Sequence, residues 1–541
     1  MKREWLIALV IAVLTTLLLQ IPYALGYLFA RPGTEYVGLL INAEDFSYHA
    51  IMLQGYDGAW QYHIQFTPEP HAPAFLYAFY LALGHLARVS GVGIVAMWHA
   101  ARIAAALALF LTTFGFIAFF LSDIFARRIA FLLAMFAAGF DWALFPWERF
   151  EIASGAPVDF RMPEARLFFS ALTYPHVAIG TALILAAFWL MQRAFEGKDW
   201  RYAFAVGLLN VLVGIVYPFL IYLVVGVLGA YWLVSSLQSR KILLCEAAYL
   251  VLAFAIPAPL FLYYAHVLQT NEVFRIWNVQ AATPSPNPLH YLLAYGALLM
   301  LGALALKPSA RRSINRSTFL WTWVVAAAIL LYAPVESQRR FVQGVQVPLA
   351  ILAAAGLVTF VLPAVERTRA FQNLASRPRY SAQGLRRLFV TMLLLLLGAA
   401  NIVIVSRLSF VIAIQQPEVF FRSRAERNAV DWLREQSARS DVVLAEYWTG
   451  SFIPARAGNA VFVGQRYETV RFDDKRAQVE KFFQVETDDV WRRDLLARYR
   501  IAFVFVGPRE RDLGSFDPSR ASYLQSVYSD SGFAIYAVRV Q

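Results

Sequence analysis

The sequence predicts a polytopic α-helical membrane protein with about 11 transmembrane helices and a C-terminal extracytoplasmic α/β domain. Three observations predict it. Apolar residues make up 59% of the chain and charged residues only 16%. Several apolar runs approach the ~20 residues that cross a hydrocarbon core. Beyond residue 414 the composition turns abruptly mixed and charged. A water-soluble globular enzyme is excluded by that balance.

The expected spans are Trp5 to Ala30, Gly93 to Leu121, Ile129 to Phe145, Val177 to Met191, Tyr202 to Val216, Pro218 to Leu237, Ile242 to Tyr264, Leu289 to Leu306, Phe319 to Tyr332, Val342 to Leu362 and Leu388 to Ile414. Together they make a transmembrane domain of residues 1–414, followed by the α/β domain 415–541. The first span, with Lys2 and Arg3 before it, is longer than a signal-peptide core and is read as retained. With the N-terminus in the cytoplasm, 19 Lys and Arg fall in cytoplasmic segments and eight in the opposite loops. Short basic loops resist translocation, so the expectation is a multi-pass cell-membrane protein with a cytoplasmic N-terminus and an exported C-terminus. The tail from Glu418 carries 19 basic and 18 acidic residues, so the formal +12 sits mainly in membrane-facing parts. That distribution suits lipid headgroups and no nucleic acid. The lone cysteine, Cys245, has no partner for an intrachain disulfide.

Three external loops follow from this topology: 31–92, 146–176 and 265–289. The apolar run 71–89 is read as a helix lying at the outer interface, because a further crossing there would reverse every later basic cluster. In the tail, helical periodicity marks Ser423 to Ser437, Asp473 to Phe483 and Thr487 to Arg500. β-rich runs occur at Val442 to Leu444, Ala460 to Val463, Ile501 to Val506 and Phe533 to Val538.

The chemistry is expected in the loops. Glu44 and Asp45 are adjacent acids just beyond the first span, able to deprotonate an acceptor or to hold a divalent cation such as Mg or Mn. On a helix they would point about 100° apart, so one faces the reacting centre while the other orients it; the plainer alternative is that they cap or solvate the loop. Tyr48 follows one turn later. His49, His63, Glu69 and His71 share the loop without the tight spacing of a zinc motif, and read better as hydrogen-bonded side chains. Arg339 and Arg340, at the outer boundary, can fork onto a lipid phosphate or snorkel to headgroups. His99 and Arg102 lie three apart in the second span, where a charge is costly unless paired or lining a cavity. Asp159 and Glu164 occupy the second external loop. Glu446, Tyr447, Arg456, Arg466, Tyr467 and Glu468 fall in loop-like parts of the tail and suit acceptor binding or plain surface exposure.

The order of these parts resembles the GT-C fold of membrane glycosyltransferases, the group of oligosaccharyltransferase catalytic subunits, protein O-mannosyltransferases and lipid A aminoarabinose transferases. The resemblance rests on the first span, the external Glu44-Asp45-Phe-Ser-Tyr48 segment, the Pro-rich run 67–77 with Leu-Gly-His-Leu beyond it, and Ala101-Arg102. It implies a glycosyltransferase whose external carboxylate, Asp45 or Glu44, is the base or metal ligand, with Asp159 and Glu164 where some members carry a second acidic motif. The absence of a Gly-rich nucleotide fingerprint and of a large cytoplasmic domain points separately to a lipid-linked donor. The expected partners are membrane lipid, a polyprenyl-phosphate-sugar donor and a glycan, lipid or protein acceptor. The rival readings are a polytopic transporter, whose internal repeat is not evident, and a non-catalytic membrane scaffold with an exported binding domain.

Overall fold

The computed structural model describes residues 2–140 and 158–539. The end of the third expected span and the first part of the loop 146–176 lie outside the described residues. The chain forms two compact units, each drawn from three stretches: Met1–Gln20, Arg102–Phe261 and Thr283–Arg407 in the first, and Ile21–Ala101, Leu262–Ala282 and Leu408–Gln541 in the second.

Among the described residues, six helices are long and apolar enough to cross a membrane: Lys2–Leu28, Ile94–Phe120, Pro175–Gly197, Leu220–Ser239, Pro288–Leu306 and Gln338–Glu366. Two bent pairs, Leu244–Ala255 with Ala258–Thr270 and Ala382–Leu397 with Ala399–Gln415, raise the number to eight if each is one broken span. Both bend by 50°. Pro257 stands at the first break, where a ring without an N–H cannot continue the hydrogen-bond ladder, and Gly398 at the second. Trp200–Val216 and Ser317–Leu330 are apolar but shorter, at 17 and 14 residues. The third expected span is helical over Ile124–Phe136 in its described part.

The second unit is built differently. Six strands occur in it: β1 (Thr34–Tyr36), β2 (Phe421–Ser423), β3 (Val442–Leu444), β4 (Ile501–Val506), β5 (Leu524–Asp530) and β6 (Phe533–Val538). β1 pairs antiparallel with β2, stitching the first external loop to the segment after the last apolar helix. The other four form one sheet in the order β3-β4-β6-β5, with β3 and β4 parallel and the remaining neighbours antiparallel. Leu444, Phe462, Phe482 and Val504 are fully enclosed in its core. Ser423 caps helix Arg424–Gln436 by accepting from the Glu426 amide, as its position before an amphipathic run predicts.

One loop expectation is corrected, and two further loops prove to be largely helical. The helix expected over 71–89 spans Ala78–Ser90. Upstream, Pro70 and Pro73 disfavour helix, and Ala74 is instead paired to Tyr62 through two backbone bonds of 2.8 and 3.0 Å. The helix packs against Phe46–Tyr56 so closely that a Cβ at Gly84 would meet the Met52 carbonyl at 1.9 Å, and one at Gly55 the Leu81 carbonyl at 2.1 Å. Only glycine fits either position. The loop expected over 265–289 is largely helical: Ala258–Thr270 runs on, Asn271 caps Glu272–Gln280, and only 281–287 remain irregular. The described part of loop 146–176 folds into the short helical turns Val158–Arg161, Pro163–Ala165 and Leu167–Thr173, all largely buried.

Candidate functional site

Glu44 and Asp45 sit in a 3₁₀ turn, Ala43–Asp45, that leads into helix Phe46–Tyr56. Asp45 holds the N-cap position of that helix with helical dihedrals, and its side chain makes no capping hydrogen bond. Capping, the plainer alternative, is therefore not what its carboxylate does. The residue is 9% exposed. Glu44 points elsewhere. Its Oε1 accepts from the Tyr447 hydroxyl and from the Arg466 backbone N–H at 3.4 Å, and its Oε2 from Asn42 Nδ2 at 3.2 Å. Adjacent acids thus take separate roles, one anchored by neutral donors. Burial and then the Glu44 charge push the Tyr447 hydroxyl pKa far up, so it donates at any ordinary pH.

Tyr48 lies in an aromatic cluster, stacked at 4.7 Å on Tyr80 and 5.7 Å on Trp98, with the buried His49 edge-on to Trp98 at 5.3 Å. Burial lowers the His49 pKa to about 4, so it is neutral. His99 Nε2 is 2.9 Å from the Tyr27 hydroxyl, and its ring packs edge-on to Tyr23.

Behind Glu44 stands a second carboxylate. Glu468 is buried and accepts from the Tyr62 hydroxyl; burial pushes it up to about 7, the Tyr62 bond opposes that shift, and the Glu44 charge adds to it. His63 and His71, with Glu69, make stacked, hydrogen-bonded and ion-pair contacts. His63 stacks on His71 at 4.0 Å, His71 Nε2 accepts the Ile64 N–H at 3.0 Å, and Glu69 pairs with the buried Lys475 at 2.6 Å. Among the described residues no group of three or more His, Cys, Asp or Glu is placed to hold a metal ion. Glu44 and Asp45 are thus two carboxylates, and both Glu44 oxygens already accept from Tyr447, Arg466 and Asn42.

The other expected site residues belong to the first unit. Asp159, fully buried, pairs with Arg166 at 2.5 Å and accepts the Gly139 N–H at 2.7 Å; the Arg166 guanidinium also lies 4.2 Å over the Tyr295 ring. Glu164 pairs with Arg339 at 3.0 Å. Arg340 lies 4.2 Å over Phe219. Arg102 is buried and donates to Gln20 Oε1 and to the Leu172 carbonyl. In the tail, Glu446 caps helix Tyr447–Arg456 and Arg456 pairs with Asp431, so these two are structural. Tyr447 and Arg466 are the ones brought to Glu44.

Two buried arginines escaped sequence reasoning. Arg166 carries no local signal, because its partner is set by how the turns pack. Arg422 pairs with Glu426 at 2.7 Å and donates to the Trp448 carbonyl at 3.0 Å; its i,i+4 spacing was a usable signal.

No protein-family model matches the sequence, and no curated protein matches it either. Solved structures do. The oligosaccharyltransferase of Archaeoglobus fulgidus, tethered to an acceptor peptide containing the NVT sequon, superposes with a TM-score of 0.51 at 16% identity, covering 93% of this chain and 69% of that one. The arabinofuranosyltransferase AftD from Mycobacteria gives 0.51 at 15% identity over 100% of this chain and 42% of that one. ArnT from Cupriavidus metallidurans in the apo state gives 0.49 at 12% identity, over 96% and 97%. The first two establish the fold: the chain has the GT-C architecture of these membrane glycosyltransferases, in keeping with its apolar helices.

Proposed function

We propose that this chain is a multi-pass membrane glycosyltransferase that moves a sugar from a polyprenyl-phosphate-linked donor to an extracytoplasmic acceptor. Asp45 is its base. The carboxylate takes the acceptor hydroxyl proton as the acceptor oxygen bonds to the anomeric carbon. The bond from that carbon to the phosphate oxygen breaks, and its electron pair leaves on the lipid phosphate. A positioned base contributes about 10²–10⁴-fold to such a step.

The observation that carries the reading is the division of labour in the acid pair. Glu44 is tied to Tyr447 and Arg466, whereas the Asp45 carboxylate stands at a helix N-terminus without serving as its cap. The growing charge on the leaving phosphate calls for fixed cations; Arg339, Arg340 or Arg102 is assigned that role. Glu164 orients Arg339 in this scheme, and Asp159 holds Arg166 rather than substrate. His99 and Tyr48 shape the walls. The basic-residue asymmetry supports a cytoplasmic N-terminus and an extracytoplasmic domain over 415–541. The GT-C fold, together with the lack of a nucleotide-cradling loop, supports the lipid-linked donor.

The test is acceptor-dependent release of polyprenyl phosphate by the purified full chain in nanodiscs, over a panel of polyprenyl-phosphate sugars. Asp45→Asn is expected to abolish most turnover and Glu44→Gln to reduce it less. Unchanged turnover in both variants removes the catalytic role of Glu44 and Asp45, and no turnover by the unaltered chain over the whole panel returns the protein to the transporter or scaffold readings.

A further inference from the structure

A recess in the second unit shares a wall with the Glu44 anchor. Arg466, whose backbone N–H reaches Glu44, lines a cavity of about 500 Å³ with Tyr467, Arg471, Asp473, Asp474 and Gln280. Its walls are set in advance of any ligand. Gln280 Nε2 donates to the carbonyls of Tyr467 and Thr469, each at 3.0 Å, which fixes the loop between cavity and acid. The Arg466 guanidinium lies 5.6 Å over Phe472, and Phe472 packs edge-on at 5.1 Å against Tyr447, whose hydroxyl holds Glu44. Cavity wall and acid anchor are therefore one cluster.

The lining selects a kind of ligand. Two guanidinium groups and two carboxylates cancel in formal charge. A phosphate would meet Asp473 and Asp474, an ammonium would meet Arg466 and Arg471, and an apolar chain would strand these polar groups without partners. Alternating donors and acceptors beside an aromatic ring suit a ligand that offers many hydroxyls, each able to donate and accept, together with apolar ring faces. Tyr467, 42% exposed, presents that ring.

We propose that this cavity binds a neutral, polyhydroxylated acceptor, so that the transferred sugar extends an existing glycan. The acceptor role rests on the transferase reading; the binding itself does not.

Saturation-transfer NMR on the full chain in nanodiscs tests it, with neutral hexose and pentose trisaccharides, an acidic trigalacturonate, a cationic chitosan trimer and a hydrophilic pentapeptide as probes. At least one neutral trisaccharide should show transfer, reduced fivefold or more by Tyr467→Ala and by Asp474→Asn. Signal confined to the charged probes or the peptide overturns the proposal. So does the absence of signal from every neutral probe, or a neutral signal insensitive to Tyr467→Ala. Because binding is read without turnover, intact neutral binding with no transfer by the unaltered chain sinks the transferase reading alone. Normal transfer without neutral binding sinks the cavity alone.

Discussion

Two pairs of acids in this molecule meet opposite fates. In the first unit, Asp159 and Glu164 each face a guanidinium, Arg166 at 2.5 Å and Arg339 at 3.0 Å. In the second, Glu44 is held by a tyrosine hydroxyl, a backbone amide and an asparagine side chain, all neutral. Asp159, neutralised by the buried Arg166, has its charge compensated where it stands, whereas Glu164 faces the partly exposed Arg339. Neutral donors fix geometry and leave the negative charge uncancelled. The contrast sets a buried ion pair, Asp159–Arg166, against a carboxylate, Glu44, held by uncharged donors.

Substitution can break this contrast, most forcefully at Asp45. Asp45→Asn should lower transfer by about 10²–10⁴-fold while the thermal midpoint barely moves, measured by turnover and by scanning fluorimetry; a stability loss with normal turnover would place Asp45 among the framework acids. Arg166→Leu should do the reverse. It strands the Asp159 charge at a site without solvent, a destabilisation of about 3–5 kcal/mol, and a double variant that also makes Asp159→Leu should recover much of it.

The pH dependence sharpens the comparison next. Burial raises Glu468 and Glu510 from 4.5 to about 7, so their contribution to stability is full below about pH 4.5 and fades as pH climbs through 7. Each shift corresponds to roughly 3 kcal/mol. Lys475, lowered by burial from 10.5 to about 8, acts oppositely, its contribution being complete above 10.5 and lost as pH falls through 8. Midpoints of unfolding should therefore fall between pH 5 and 7, and Glu468→Gln should flatten that slope; an unaltered slope would show that Glu468 does not titrate there. The smallest effect belongs to the partly exposed Arg434–Asp57 pair, 2.8 Å apart, where Arg434→Ala should cost about 0–1 kcal/mol in chemical denaturation.

Legibility in the sequence follows how local the deciding physics is. β3, β4 and β6 lie residue for residue on the expected β-rich runs, because each is a short uncharged block rich in Val, Ile and aromatic or other apolar residues. β5 was overlooked: in Leu-Gln-Ser-Val-Tyr-Ser-Asp, an edge strand with mostly exposed residues, no apolar block shows. The run Ala460 to Val463 reads as β but is joined to β3 only by a bridge at Val461. Hydropathy located the apolar helices, yet not the bends at Pro257 and Gly398 that decide whether two helices count as one span. The site divides in the same way. Glu44, Asp45 and Tyr447 stood out as residue types in suggestive places, but nothing in the chain tells that residues 403 apart share a hydrogen bond.

The sequence by itself determined the membrane class, the position of the acid pair beyond the first apolar helix and most of the tail's strands and helices, since composition, periodicity and capping act over a few residues. Tertiary structure alone decided which donors anchor Glu44 and that Asp159 belongs to a buried ion pair. Those choices depend on desolvation and on donors supplied by distant segments, and both come into being only once the chain has packed.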